Sequence, residues 1–153
     1  MPNYNWSAPV KEAKVYPIIP AGNYAGRLFS IVDTGTHRFE YPTGPKEERK
    51  VELTFEIPGE TAVFNEEKGP QPFIVSTRVT LSFHEKATLS KIIKSWQGKA
   101  PTGEELRSGS WKLPELLGKE CLLSIVHSAP TAKGRVFPNI NSVTPLVKGM
   151  SVL

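Results

Sequence analysis

Residues 50–57, KVELTFEI, alternate apolar and polar without a break, and no other stretch constrains the fold as tightly. Val51, Leu53, Phe55 and Ile57 share one face, and Lys50, Glu52, Thr54 and Glu56 share the other. A period of two marks a strand with one face in a core and the other in water. Residues 73–83, FIVSTRVTLSF, repeat the pattern, with Val75, Thr77, Val79, Leu81 and Phe83 on one side. Ile74, Ser76, Arg78, Thr80 and Ser82 fall on the other side. Residues 22–34 (GNYAGRLFSIVDT) read as a long strand, with Gly26 as a bulge or bend. Residues 121–127 (CLLSIVH) read as a buried strand, and residues 137–145 as a last short one.

Between the third and fourth strands the period changes. Leu89, Ile92, Ile93 and Trp96 form one helical stripe. Ser82 to Glu85 has the spacing of a capping box, and Gly98 stands where a helix C-cap belongs. Thr102 to Glu105 repeats the capping signal, and Pro114 to Leu117, closed by Gly118, reads as one more helical turn. Residues 34–49 and 58–72, rich in Gly, Pro and charge, read as long polar loops. The order is β-β-β-α-β-β. A chain of 153 residues has room for one core. That order at that size is the layout of a mainly all-β OB-fold, a five-stranded Greek-key barrel with its helix between the third and fourth strands. An SH3-like barrel and an open α+β sheet share the order. Residues 1–20, punctuated by Pro2, Pro9, Pro17 and Pro20, read as an N-terminal arm carrying Tyr4, Trp6 and Tyr16. Residues 21–153 form the single domain, with no internal repeat or linker.

The inventory of reactive residues narrows the chemistry. The lone Cys121 excludes an internal disulfide framework and a cysteine zinc cluster, and a reducing, cytosolic setting is expected. Asp33 is the only aspartate, which leans against Mg²⁺-dependent nucleases and phosphotransferases. His84-Glu85-Lys86-Ala87-Thr88 has Thr88 where a zincin helix needs its second histidine. Gly98-Lys99 is not a Walker A loop, because Ile93 begins that window. His127 lies about 20 Å along the same strand from Cys121, too far for a nucleophilic pair, and Cys121 reads as a small buried residue. The expectation is a protein without catalysis, cofactor or metal. No apolar run is long enough to cross a bilayer, and the first ten residues lack the order of a signal peptide, so no membrane association is expected.

Four segments together resemble the OB-fold single-stranded DNA-binding proteins of tailed bacteriophages. They are residues 24–35 (YAGRLFSIVDTG), 50–58 (KVELTFEIP), 76–99 (with SFHEKATL and SWQGK) and 117–145 (LLGKECLLSIVH, then FPNINSVTP). The ordered set carries the resemblance, which spans most of the chain after residue 20. It implies a non-catalytic protein that coats exposed single strands during phage DNA replication or recombination, in the cytoplasm of the bacterial host. Phage replication or recombination proteins are the implied partners. The chain departs from many single-strand binders in ending Lys148-Gly149-Met150-Ser151-Val152-Leu153 rather than in an acidic tail, so recruitment by that route is not expected.

Net charge is +4, from 19 Lys and Arg against 15 Asp and Glu, which permits nucleic acid without requiring it. Placement says more: no acidic residue follows Glu120, while Lys133, Arg135 and Lys148 do. A sequence-tolerant single-strand binder needs a cationic groove set with aromatic platforms. On an OB barrel the groove crosses strands two and three, walled by the first-to-second and fourth-to-fifth connections. The first wall offers Arg38, Phe39, Tyr41, Lys46, Arg49 and Lys50, the third strand Arg78, and the other wall Lys133, Arg135 and Phe137. Each has a plainer reading. Arg78 is equally placed to pair with Glu52 or Glu56 across the sheet. Phe39 and Tyr41 suit packing of a loop, and Phe137 suits the core. Trp96 belongs to the helix stripe, and Trp111 stays open. The alternative function is a phage structural or adaptor domain making protein contacts, with its cations scattered and an apolar patch exposed. Single-stranded RNA is a third option.

Overall fold

The computed structural model describes residues 17–152, so the arm as far as Tyr16, with Tyr4 and Trp6, lies outside the described residues. Five strands form one antiparallel sheet: β1 (Gly22–Tyr41), β2 (Gly44–Asn65), β3 (Gly69–Thr80), β4 (Glu120–His127) and β5 (Pro138–Thr144). Its order is β3-β2-β1-β4-β5. Helices α1 (Thr88–Gln97) and α2 (Gly103–Ser108) and a 3₁₀ turn (Leu113–Leu116) lie between β3 and β4. No helix among the described residues is long and apolar enough to cross a membrane.

The alternation in β2 works as its pattern requires. Val51, Leu53, Phe55 and Ile57 are buried, as are Phe73, Val75 and Val79 opposite them on β3. Phe55 and Trp96 approach at 6.0 Å between ring centroids, joining sheet to helix. Leu89, Ile93 and Trp96 are the buried stripe of α1, and Gly98 caps it in the left-handed region at φ +86. Trp96 is thus a core residue, and its Nε1 donates to the Glu120 carbonyl at 2.9 Å. Trp111 packs edge-on against Phe83 at 5.5 Å. Ile19, at the end of the expected arm, is itself in the core, and its carbonyl is 2.8 Å from His127 Nε2.

The structure differs from expectation in four places. The sheet is open: no ladder joins β3 to β5 among the described residues, where a barrel would pair them. Helix α1 packs against both of these edge strands, and Ser95 Oγ donates to the Val143 carbonyl of β5 at 2.7 Å, so a helix covers the seam. Residues 34–49 and 58–72 are not loops, because the β1–β2 and β2–β3 ladders run on through them to the two-residue connection 42–43 and the three-residue connection 66–68. β3 ends at Thr80 and α1 has Ala87 as an uncapped N-cap, so the Ser82–Glu85 signal caps nothing. Ser82 Oγ instead accepts from the His84 amide at 3.3 Å, a local turn. The second capping box, Thr102 with Glu105, is formed.

Gly26 is not a bulge either. It pairs in register with Cys121, and a Cβ there would stand 2.6 Å from Leu123 Cδ1 and 3.1 Å from the Glu56 carbonyl. Glycine is required because β1 passes close to both neighbours at this point. Gly26→Ala is expected to destabilise the fold by about 1–3 kcal/mol, the usual cost of overpacking, read as a lower urea midpoint at unchanged slope.

Candidate nucleic-acid interface

Beyond the body of the sheet, β1 and β2 continue as a two-stranded ribbon from Gly35↔Lys50 to Tyr41↔Gly44. Its entry is a bulge. Asp33 pairs with Val51 on the core face, but Gly35 pairs with Lys50 on the outer face, so Thr34 is one residue extra. Gly35 takes φ +87 there, and its amide donates to Asp33 Oδ1 at 2.9 Å. Side chains alternate along a strand, so one added residue moves every later side chain to the opposite face. His37, Phe39 and Tyr41 are thereby placed on the outer face, with Lys46, Glu48 and Lys50 of β2 opposite them.

The rings form a row, with centroids 6.4 Å apart from His37 to Phe39 and 6.3 Å from Phe39 to Tyr41. Lys50 Nζ lies 5.1 Å from the centre of the Phe39 ring, a cation–π contact. The same ammonium donates to Thr80 Oγ1 at 2.7 Å and lies 3.2 Å from Glu48 Oε2. Tyr41 OH donates to Glu48 Oε1 at 3.1 Å. Glu48 thus ties ring and ammonium together, and Lys50 holds its carboxyl below the ordinary glutamate value. The hydrogen bond to Glu48 raises the Tyr41 phenol above its ordinary value, because it is made only while the proton remains.

The ten expected site residues do not gather in one place. Phe39, Tyr41, Lys46 and Lys50 share the outer face of the ribbon, and Arg78 continues that face on β3. Arg78 faces Glu52 in register and lies 3.8 Å from it, so the cross-strand reading is the one observed. Arg38 and Arg49 are on the reverse face. Arg38 lies 3.4 Å from Glu40, and Arg49 grips Asp33 through Nε at 2.9 Å and through Nη2. Lys133, Arg135 and Phe137 belong to the β4–β5 connection, which leaves the sheet where β1 begins, at the opposite end of β1 from the ribbon. There Thr131 to Arg135 close a tight turn, in which Gly134 N donates to the Thr131 carbonyl at 2.8 Å. Phe137 is 51% exposed and is not core. Among the described residues no carboxylate lies within ion-pair distance of Lys46, Lys133 or Arg135.

His37 and Glu48 were missed as site residues. The signal was present, since Lys46, Glu48 and Lys50 continue the polar phase of the KVELTFEI strand backwards by two steps. Cys121 is buried against Gly26, and burial pushes its thiol up to about 12, so a thiolate is disfavoured there.

The hydrogen bond from Arg49 holds Asp33 below its ordinary aspartate value. A depressed carboxyl stabilises the fold above the unfolded pKa, and that contribution is lost as pH falls through the folded one. Asp33 is the only aspartate in the chain, so its carboxyl carbon resonance is a unique reporter. In Arg49→Gln that resonance is expected to titrate at higher pH, though still held down in part by the Gly35 amide, with the acid limb of stability correspondingly flatter. No family model matches this chain, and no curated protein matches it.

Proposed function

We propose that the protein binds single-stranded nucleic acid, DNA in the first place, without catalysis and without regard to sequence. The observation that carries this reading is the row His37, Phe39 and Tyr41 on an outward ribbon face, flanked by Lys46 and Lys50. Every base has a π-face and every nucleotide a charge, so aromatic platforms beside cations suit any unpaired strand. The strand order gives further support. With β1 central and its neighbours β2 and β4 leading to β3 and β5, the order is that of a Greek-key OB barrel opened between its third and fifth strands. In such a barrel the ligand face crosses β2 and β3, where Lys50 and Arg78 stand. The resemblance to phage single-strand binders extends the proposal to coating of replication or recombination intermediates in the host cytoplasm.

A protein-contact role is favoured by one specific observation: Ile74 and Val32 lie exposed, 59% and 49%, on that same outer face. Titration separates the two. Fluorescence anisotropy with oligo-dT, oligo-U and a duplex of equal length should show dT bound and the duplex much weaker. Preference for oligo-U would make the ligand RNA, and no binding to any of the three would leave the contact role. Phe39→Ala should weaken oligo-dT binding by about 1–3 kcal/mol, roughly five- to 150-fold, with its unfolding midpoint little changed. Tyr41→Ala should act in the same direction.

A further inference from the structure

On the outer face of β1, β2 and β3 stand four cations, Arg27, Lys46, Lys50 and Arg78, and three carboxylates, Glu48, Glu52 and Glu56. Three of the cations are taken: Arg27 by Glu56 at 2.8 Å, Lys50 by Glu48 at 3.2 Å and Arg78 by Glu52 at 3.8 Å. Lys46 alone has no carboxylate within ion-pair distance among the described residues. On the reverse face of the ribbon Arg38 and Arg49 are engaged by Glu40 and Asp33, with Glu47 opposite Arg38 as well. A polyanion therefore meets a face whose charge is already balanced from within.

That balance has a thermodynamic signature. Phosphate binding is driven largely by counterions released from the strand as free cations neutralise it. When a phosphate takes a cation from its carboxylate, the carboxylate must gather a counterion of its own, and the net release vanishes. Such an exchange adds little to affinity and little to salt dependence, however weak the original pair.

The rings supply what the cations do not. Their spacing of 6.3 to 6.4 Å is nearly twice the roughly 3.4 Å between stacked bases. Bases seated on neighbouring rings are too far apart to stack on one another, so the row suits a drawn-out strand whose bases are unstacked. A duplex, with its bases paired and stacked, offers the row nothing. Resting on the single-strand reading above, we infer that this face recognises the π-faces of unstacked nucleobases with Lys46 as its one unpaired cation among the described residues, so that further phosphate attraction is left to at most Lys133 and Arg135 at the other end of β1.

The cations can be counted by salt. A single strand gives a slope of log K against log salt of about −0.7 per phosphate neutralised. Three cations give about −2, and the seven candidates Arg38, Lys46, Arg49, Lys50, Arg78, Lys133 and Arg135 give about −5. Between 50 and 200 mM salt these correspond to losses of about 20-fold and about 900-fold. The experiment is anisotropy titration of the full chain with oligo-dT and with an abasic strand of the same length, at both salt levels. The expected result is a loss of no more than about 20-fold for oligo-dT, with the abasic strand at least tenfold weaker throughout. Glu52→Gln, which frees Arg78, should steepen the slope by about 0.7. A loss of several hundred-fold, or an abasic strand bound as tightly as oligo-dT, overturns the inference and leaves single-strand binding standing. Failure of both strands to bind at 50 mM salt overturns the single-strand reading itself.

Discussion

At Thr34 the β1 strand gains one residue over β2, so that Asp33 stands on the core face and Gly35 on the outer one. Everything the ribbon presents follows from that step. Without it His37, Phe39 and Tyr41 would continue the phase of Ile31, which packs against the core. With it they stand outward beside Lys46 and Lys50. The bulge is itself well anchored. Gly35 supplies the positive φ, Asp33 accepts its amide, and Thr34 Oγ1 donates to the Lys50 carbonyl at 3.0 Å. Arg49 clamps Asp33 from the opposite strand. An isolated two-stranded ribbon is marginal in water, and these contacts, with the ring row, are what extend the sheet's order to its tip.

The apolar core and the proposed binding site lie on different faces of the same strands. The core face of β2 and β3 packs on α1, Ile19 and β4 in one apolar cluster. The outer face is crossed by ion pairs: Arg78–Glu52 is exposed and contributes little to folding, whereas Arg27–Glu56 and Lys50–Glu48 are half-buried. Even the buried hydroxyl of Thr54 on that side is satisfied, by Ser76 Oγ at 2.9 Å. The exposed side chains of that face, Arg78 and Ile74 among them, carry little of the folding energy.

Much of the fold was legible because its signals are local. Strict alternation in residues 50–57 and 73–80, the stripe of α1, the Gly98 cap and the Thr102 capping box each depend on neighbours within a few residues. The extensions of the β1–β2 and β2–β3 ladders were not legible as strands, because Gly, Pro and charge dominate residues 34–49 and 58–72, even though Ala62 and Phe64 pack on the core, with Phe64 edge-on to Phe73 at 5.2 Å. Lys46 to Arg49 look like a solvated loop until β1 is known to lie opposite. The Ser82–Glu85 box failed for a tertiary reason. Leu81 N donates to the Arg49 carbonyl at 2.7 Å, tying the segment to β2 and delaying the helix to Thr88.

The candidate site divides in the same way. The amino-acid sequence by itself determined which aromatic and cationic side chains are available to the candidate site, and that they cluster near residues 37–50 and 133–137, because type and proximity are properties of the chain. It also determined the face of each residue within an unbroken strand, since pleating is local. Only the tertiary structure decided which of them share a face, because one inserted residue reverses the phase and cannot be read without the partner strand. It alone decided which cations are spoken for. Arg78 meets Glu52, Lys50 meets Glu48, and Arg49 meets Asp33 sixteen residues away, through register and bulge, and a charge has no fixed worth until its nearest opposite is known.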